Sequence, residues 1–233
     1  MFGAIITVTT TTIPINITIF NNEIYGLTKG QYSPTTKFGQ ITKTSPYGTI
    51  DYPFNPGELV MGAQGTFFAR SLDVVPPLTT EVMTRAAEHD GCSVVEVLQN
   101  CVIFNDKTHQ AITDRAVRDD RTIVLEHGKP MIFGKDKNKG IRFNGRQLEA
   151  VVIGENGITI DDILVHHEDT EDCGIHMMLA RMGGDLPVAL GVIRNVKKES
   201  YTQLYEEQME QQMANGKYRC MDDLLNSGDT WEV

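Results

Sequence analysis

Short apolar runs separated by polar, glycine-containing segments dominate the first half of the chain. The first run, residues 13–20, is rich in β-branched residues, lacks a clean alternation and ends at two asparagines. This pattern predicts a buried strand followed by a loop. Similar runs at 66–71 and 93–98 predict two more strands. Residues 1–12 are small and rich in threonine, so we expect a poorly fixed edge or tail there.

The segment between the second and third runs predicts a helix. It begins near Pro77 with a threonine cap, carries apolar residues at helical spacing and stops at Gly91. A strand, a helix and a strand at this spacing form a βαβ unit with parallel strands and a right-handed crossover. We therefore predict an α/β fold, with a parallel sheet covered by helices on both faces. A further short helix is predicted at 57–64, after Pro56.

Beyond residue 101 the polar segments lengthen and the pattern loosens. We divide the chain there into a sheet domain, residues 1–125, and a C-terminal extension, residues 126–233. The pattern predicts strands at 122–125, 148–153 and 163–166, a lysine- and glycine-rich hairpin region at 134–145, and helices at 174–182 and 201–214.

Composition excludes several classes of function. The 40% hydrophobic content is ordinary for a soluble globular protein, and the net charge of −10 disfavours a general nucleic-acid surface. No apolar run reaches membrane-spanning length, and the first residues lack the basic region of a signal peptide. The four cysteines contain no C-x-x-C pair, which fits a reduced compartment. We expect a cytoplasmic protein that binds neither nucleic acid nor a membrane.

The polar segment that follows the first strand is the candidate site. In open α/β sheets, ligands bind outside the carboxyl ends of the strands. Asn22 offers a hard amide oxygen, and Gly26 and Gly30 allow the backbone to approach an anion closely. Thr28 and Gln31 add hydrogen-bond donors without adding negative charge. This chemistry suits a magnesium-bound diphosphate, although Asn22 taken alone could equally cap a turn.

Residues 21–36 read Asn-Asn-x-Ile-Tyr-Gly-Leu-Thr-Lys-Gly-Gln-x-Ser-Pro-Thr-Thr. This string resembles the thiamine-diphosphate motif in the β subunits of 2-oxoacid:ferredoxin oxidoreductases, especially the 2-oxoglutarate enzymes. The resemblance continues through residues 54–56, 96–101 and 125–130 and covers nearly everything from residue 13 onward. Family members also carry an upstream Cys-x-x-Cys segment, a His-Gly segment and a Gly-Asp-Gly motif. None of these precedes the first strand in this sequence, so the chain is expected to lack the N-terminal part of the family.

The resemblance implies thiamine diphosphate and Mg²⁺ as cofactors. It makes Asn22 and the backbone carbonyl of Ile24 the magnesium ligands. Because the family's aspartate ligand is missing, Glu23 and Asp51 are the candidates to replace its charge. The implied cofactor-binding residues are Asn22, Tyr25, Gly26, Leu27 and Thr28.

Lys29 lies inside the same motif, between Thr28 and Gly30. A solvated surface lysine is the ordinary interpretation. The alternative is that its ammonium pairs with the distal carboxylate of a dicarboxylic substrate, which favours 2-oxoglutarate over pyruvate. Catalytic residues are not identified.

Cys101 follows a predicted strand end and, by resemblance, matches a ligand of a [4Fe-4S] cluster. Such a cluster needs four thiolates, and Cys92, Cys173 and Cys220 do not match the other family positions. We therefore expect Cys101 to be an orphaned ligand and the cluster to be absent from this chain. His166 and His167 are adjacent on a predicted strand, so we expect no metal-binding histidine constellation.

The resemblance implies the β subunit of an enzyme that oxidatively decarboxylates 2-oxoglutarate to succinyl-CoA and passes electrons to ferredoxin. The implied partners are the α subunit, ferredoxin, 2-oxoglutarate and coenzyme A. Residues 1–125 would then be the C-terminal part of a thiamine-diphosphate-binding α/β domain, and residues 126–233 an arm that packs on a partner subunit. The alternative is a truncated, non-catalytic subunit or fragment that retains only the fold and the partner surface.

Overall fold

The computed structural model describes residues 13–229 and Trp231, and the predicted tail at 1–12 lies outside that range. Two sheets organise the described chain, one of five strands and one of three. The larger sheet has the order β1-β3-β2-β8-β4, and its strands are β1 (Ile15–Asn21), β2 (Phe67–Leu72), β3 (Cys92–Leu98), β4 (Thr122–Leu125) and β8 (Val188–Asn195). The smaller sheet contains β5 (Ile132–Phe133), β6 (Lys139–Phe143) and β7 (Leu148–Val152).

Seven helices accompany these sheets within the described residues. The longest, α6, lies at the predicted position near residues 201–214 and has no buried residue. The helices are α1 (Pro56–Gly62), α2 (Pro76–Glu88), α3 (Gln110–Thr113), α4 (Arg118–Arg121), α5 (Gly174–Arg181), α6 (Tyr201–Asn215) and α7 (Met221–Leu225). None of these helices combines the length and the apolar character needed to cross a bilayer.

The predicted parallel core is confirmed. Strands β1, β3 and β2 run parallel, and α2 connects β2 to β3. Strand β8 runs antiparallel to β2, and β4 is parallel to β8, so the complete sheet is mixed although mainly parallel. Because β8 lies between β2 and β4, the sheet crosses the predicted domain division at residue 125.

Helices cover both faces of the sheet, as predicted. On one face, Phe67 of β2 and Val95 of β3 pack with Leu78 and Val82 of α2. On the other face, Phe68 and Val94 belong to a core that includes α1, α5 and the smaller sheet. This alternation follows from the two-residue period of a strand, which sends successive side chains to opposite faces.

Strand β1 differs from the prediction of a buried strand. It pairs with β3 alone among the described strands, and its residues alternate between exposed and buried. Ile15 is 41% exposed and Phe20 is 58% exposed. An edge strand that is covered on one face exposes every second side chain, even where the sequence is continuously apolar.

The predicted threonine cap of α2 is also wrong. The helix begins at Pro76, and its N-cap residue, Val75, makes no side-chain capping bond. The hydroxyl of Thr79 instead donates to Ser71 Oγ and to the carbonyl of Leu72. Two prolines open this helix and carry no N–H groups, so fewer donors need a cap.

The strand predicted at 163–166 does not form. A 3-10 turn at Ile160–Asp162 precedes this segment, and a single bridge joins Val165 to Pro130. Ile163 is buried directly against Gly140 of β6, which has no side chain to obstruct it. The predicted hairpin region contains β6, which pairs with β7.

A buried arginine holds the backbone at Thr170 and Glu171, which follow the 3-10 turn. Arg194 of β8 is fully buried, and its guanidinium donates to the carbonyls of Gly65, Thr170 and Glu171. It also donates to His176 Nδ1 at 2.9 Å, so that nitrogen is the acceptor. Burial lowers the pKa of His176 to about 4, and the neutral ring donates from Nε2 to the carbonyl of His167.

The other histidines differ in environment. His166 is buried, and its Nε2 donates to the carbonyl of Val192 at 2.9 Å, whereas His167 is exposed, so these neighbours do face opposite ways. However, exposed His127, His167 and Asp169 lie close together. The closeness of His127 and His167, whose ring centroids are 5.8 Å apart, was not anticipated from the sequence.

Two glycines of α1 offer a matched test of its packing. A Cβ on Gly57 would lie 2.8 Å from Phe68 Cε1 and 2.9 Å from Ala180 Cβ, whereas a Cβ on Gly62 would meet nothing within 4 Å. We expect Gly57→Ala to lower the free energy of unfolding by about 1–3 kcal/mol, because overpacking displaces α1 from its neighbours. Gly62→Ala should be neutral or stabilise by up to about 1 kcal/mol. Urea unfolding of both variants checks this, and equal effects would contradict it.

Candidate functional site

A cavity opens where β1, β2 and β3 end. Because these strands are parallel, their carboxyl ends meet at one edge of the sheet. The cavity has a volume of about 710 Å³. The polar and charged side chains that line it come from distant parts of the sequence and include Asn21, Glu23, Lys37, Arg70, Glu96, Thr108, His109 and Arg181.

A buried polar chain forms the floor of this cavity. Arg70 Nε of β2 donates to Glu96 Oε2 of β3 at 2.7 Å, and Asn21 Nδ2 of β1 donates to Glu96 Oε1 at 2.8 Å. Arg70 Nη2 also donates to the carbonyl of Ala180 at the end of α5, at 3.1 Å. Arg70 and Glu96 are 5% and 2% exposed. Such a pair is tolerated in a core because each charge is matched and hydrogen-bonded.

Glu23 supplies a second carboxylate at the cavity wall. Its Oε2 accepts a hydrogen bond from Thr108 Oγ1 at 2.7 Å and lies 3.2 Å from Lys37 Nζ. The imidazole of His109 hydrogen-bonds the carbonyl of Asn21 at 2.9 Å and lies 3.9 Å from the same carboxylate. Of the two acids considered as magnesium ligands, Glu23 therefore faces the cavity, whereas Asp51 is exposed elsewhere.

The predicted cofactor loop is a compact turn. The amide of Tyr25 donates to the carbonyl of Gln31 at 2.8 Å, and the amide of Gly30, at φ +99°, donates back to Tyr25 at 3.1 Å. Among the described residues, the amides of Gly26, Leu27 and Thr28 have no acceptor. Runs of free backbone amides are used in proteins to bind anions.

Asn22 adopts the turn-capping arrangement. Its Oδ1 accepts from the amide of Ile24 at 3.3 Å, and its backbone carbonyl accepts from Asn105 Nδ2 at 2.9 Å. The second lone pair of Oδ1 stays available. The carbonyl of Ile24 receives no hydrogen bond from the described residues. Asn22 and Ile24 do not line the cavity themselves, although their sequence neighbours Asn21 and Glu23 do.

The remaining predicted residues lie on the outer side of the loop. Leu27 is 99% exposed, and Tyr25, Thr28 and Lys29 are also exposed. Lys29 has a φ of +67°, the left-handed conformation of a turn. These side chains are accessible to another molecule rather than packed within the chain.

Cys101 lies next to this loop, because a Cβ placed on Gly26 would come within 3.9 Å of its sulfur. Cys92 begins β3 and Cys101 follows its end, so the strand separates the two thiols. Cys92 is fully buried, which raises the pKa of its thiol to about 11 and separates it from the exposed loop beside Cys101.

Sequence reasoning identified the loop but not the floor of the cavity. Arg70 and Glu96 are single charged residues inside otherwise apolar strands, at paired positions of β2 and β3. A lone charge in each of two adjacent buried strands is a signal for a buried ion pair. His109 gave no comparable signal.

The hard oxygen donors and free amides of this loop fit a magnesium diphosphate. The amides of residues 26–28 suit the phosphate oxygens, and Asn22 with the carbonyl of Ile24 suits Mg²⁺. Glu23 is the carboxylate nearest to them in sequence that faces the cavity.

Comparison with known proteins gives a consistent result. Residues 1–97 match the family described as thiamine pyrophosphate enzyme, C-terminal TPP binding domain. The chain is 37% identical to 2-oxoglutarate oxidoreductase subunit KorB of Mycobacterium tuberculosis over 94% of its own length and 60% of that protein. It is 39% identical to 2-oxoglutarate synthase subunit KorB of Archaeoglobus fulgidus, over 43% of this chain and 36% of that protein.

A solved structure shares the fold. The 2-oxoglutarate:ferredoxin oxidoreductase of Magnetococcus marinus, determined with 2-oxoglutarate, coenzyme A and succinyl-CoA bound, matches with a TM-score of 0.67 at 22% identity. The match covers 98% of this chain and 62% of that one. The chain therefore spans about three-fifths of the length of the Mycobacterium tuberculosis protein and of the Magnetococcus marinus chain.

The buried ion pair can be tested by removing one charge or both. Arg70→Met leaves the Glu96 carboxylate buried without a cation, so we expect a loss of about 3–5 kcal/mol in the free energy of unfolding. The double variant Arg70→Met/Glu96→Leu should recover much of that loss. Lys139→Met is the control, since it breaks the half-exposed pair with Asp120 and should cost less than about 1 kcal/mol. If urea unfolding shows that Arg70→Met costs no more free energy of unfolding than the control, the buried ion pair is not a major constraint on the fold.

Proposed function

Because this chain is homologous to the β subunits of 2-oxoacid:ferredoxin oxidoreductases over nearly its whole length, we propose that it works as such a subunit. The proposed reaction is the oxidative decarboxylation of 2-oxoglutarate to succinyl-CoA, with electrons passed to ferredoxin. The observation that carries the proposal is the free-amide turn at residues 26–28, which follows β1 at the edge of the sheet where the parallel strands end. It lies in the sequence that matches thiamine-diphosphate-binding proteins.

Within this site, the amides of Gly26, Leu27 and Thr28 bind the diphosphate, and Tyr25 flanks it. Asn22 and the Ile24 carbonyl hold Mg²⁺, and the carboxylate of Glu23 replaces the anionic ligand that the family motif supplies. When bound, thiamine diphosphate supplies the stabilisation of the carbanion left by decarboxylation. The chain positions the cofactor, and the closed floor made by Arg70 and Glu96 keeps the edge of the sheet rigid.

Lys29 is the proposed specificity residue. It is exposed at the rim of the loop, where an ammonium can reach the distal carboxylate of a dicarboxylic substrate. Cys101, beside the same loop, is proposed to be the one remaining ligand of a [4Fe-4S] cluster. Because such a cluster needs four thiolates, we expect this chain alone to hold no complete cluster.

The exposed apolar surface supports a partner at this edge. Leu27 and Tyr47 are 99% and 100% exposed, and Ile50 and Tyr52 are more than four-fifths exposed. Large apolar side chains concentrated on adjoining loops are typical of a protein interface. We propose the α subunit as the molecule that covers them and completes the active site, with helix α6 in the C-terminal arm offering a further packing surface.

Calorimetric titration of thiamine diphosphate, with and without Mg²⁺, tests the cofactor site in the chain alone and in its complex with the α subunit. We expect magnesium-dependent binding that Asn22→Ala weakens about tenfold or more, because a metal ligand is lost. Glu23→Gln should reduce the gain in thiamine diphosphate affinity that Mg²⁺ produces, because an anionic metal ligand is lost. Asn138→Ala, at an exposed position in the smaller sheet's hairpin, is the matched control and should bind normally.

Heat indistinguishable from dilution in both samples would overturn the cofactor site. It would favour the alternative, a non-catalytic chain that keeps the fold and the partner surface. Retention of the α subunit by such a chain would separate loss of the cofactor from loss of the assembly.

Substrate choice depends on Lys29 in this proposal. We expect Lys29→Met to raise the KM for 2-oxoglutarate by about tenfold to a hundredfold, since a charge-assisted bond is lost, and to leave the KM for pyruvate nearly unchanged. Lys107→Met is a close control, because Lys107 has nearly the same φ, +65° against +67°. Steady-state kinetics of the reconstituted complex would contradict the role if both lysine variants behaved alike.

A further inference from the structure

A second group of potential ligands lies at the opposite edge of the larger sheet. Strands β4 and β8 run against β1, β2 and β3, so the carboxyl end of β4 points away from the cavity described above. His127 lies just beyond that end. His167 and Asp169 come from the irregular segment that follows the smaller sheet, and all three side chains are exposed.

The three side chains are close enough to share one ion. One ligand atom from each lies within 4.8 Å of the other two. His127 Nδ1 is 3.9 Å from Asp169 Oδ1, and the two imidazole planes are nearly perpendicular, at 85°. A tetrahedral ion with bonds of about 2.1 Å separates its ligands by about 3.4 Å. Small rotations of exposed side chains close that difference.

The backbone beneath these side chains is fixed. The amide of Gly128 donates to the carbonyl of His166 at 2.8 Å, and the amide of His166 donates to the carbonyl of Lys129 at 3.0 Å. These bonds hold the loop that carries His127 against the segment that carries the other two ligands. The carbonyl of His167 also accepts from buried His176.

Glu168 sets the direction of its two neighbours. Its carboxylate is buried and ion-paired with Arg85, and its carbonyl accepts from the amide of Asn195 at 2.7 Å. With Glu168 held inward, His167 and Asp169 both project outward on the same side. A rigid backbone with outward ligands is the arrangement that lowers the cost of ordering a metal site.

We propose that His127, His167 and Asp169 form a binding site for a first-row divalent transition-metal ion, of which Zn²⁺ is the probe of choice. Two imidazoles with one carboxylate suit Zn²⁺, Ni²⁺ and Cu²⁺, whereas Mg²⁺ and Ca²⁺ prefer oxygen ligands alone. Three protein ligands leave a coordination position for water or for a group from another molecule. The bound ion links the loop after β4 to the segment before α5.

Calorimetry with ZnCl₂ and the full chain tests the site without thiamine diphosphate, so its outcome is independent of the proposed function. We expect one ion per chain and a higher melting temperature, because the ion binds only the folded arrangement. His127→Ala, His167→Ala and Asp169→Asn should each weaken binding about tenfold or more. Circular dichroism in the absence of metal checks that the variants fold.

Two variants serve as controls. Glu126→Gln removes an exposed carboxylate next to the site, which already pairs with Lys129, and should bind Zn²⁺ as the parent does. Cys220→Ser removes the exposed thiol, which could bind zinc elsewhere, and should also leave the affinity unchanged.

Substitution of Co²⁺ distinguishes the two ligand types by spectroscopy. Nitrogen and oxygen ligation gives ligand-field bands alone, whereas a thiolate adds a sulfur-to-metal charge-transfer band. The proposal is overturned if the three ligand variants bind as tightly as the parent. It is equally overturned if Cys220→Ser abolishes binding or if the cobalt spectrum shows thiolate ligation.

Discussion

The ion pair between Arg70 and Glu96 is the constraint on which the rest of the sheet depends. Both groups lie on the face of the sheet that α5 covers, and Asn21 of β1 and the carbonyl of Ala180 complete their hydrogen bonds. A slip of one residue between β2 and β3 would turn one of these charges towards the apolar cluster that packs against α2. The charge would then be buried among apolar side chains. The pair therefore specifies the register of three strands and fixes the positions of their carboxyl ends. The loop that follows β1 inherits its position from that register.

Local patterns predicted the part of the fold that local physics determines. The apolar runs located β2 and β3, and the segment between them formed α2, which makes their parallel arrangement nearly obligatory. What the sequence could not reveal depends on distant partners. The apolar run of β1 is compatible with either a central or an edge strand, and the observed exposure of Phe20 reflects its single neighbour. Nothing near residues 188–195 indicates that β8 enters the same sheet antiparallel to β2.

In the candidate site, too, local sequence determines one part and distant partners determine the other. The turn at residues 25–31 follows from its own glycines, and its free amides could be anticipated from the sequence. The wall of the cavity could not. Asn21 is the last residue of β1 and keeps the inward direction of the strand, whereas Asn22 leaves the strand and bonds to Ile24. Glu23 then faces inward because it meets Lys37 and Thr108, which are distant in sequence. Asn21 thus belongs to the floor of the cavity, whereas Asn22 stabilises the loop.

The position of β8 also bears on the order in which the chain acquires its structure. Residues 73–187 separate β2 from the strand that pairs with its outer edge. During synthesis, β1, β2 and β3 can associate early through the short α2 connection, while that edge of β2 stays open. All six residues of β2 are buried in the finished protein, so the open edge is a template for pairing with another chain. Late docking of β8 closes it, which makes sheet completion a long-range, slow event and exposes the nascent chain to aggregation until β8 is made.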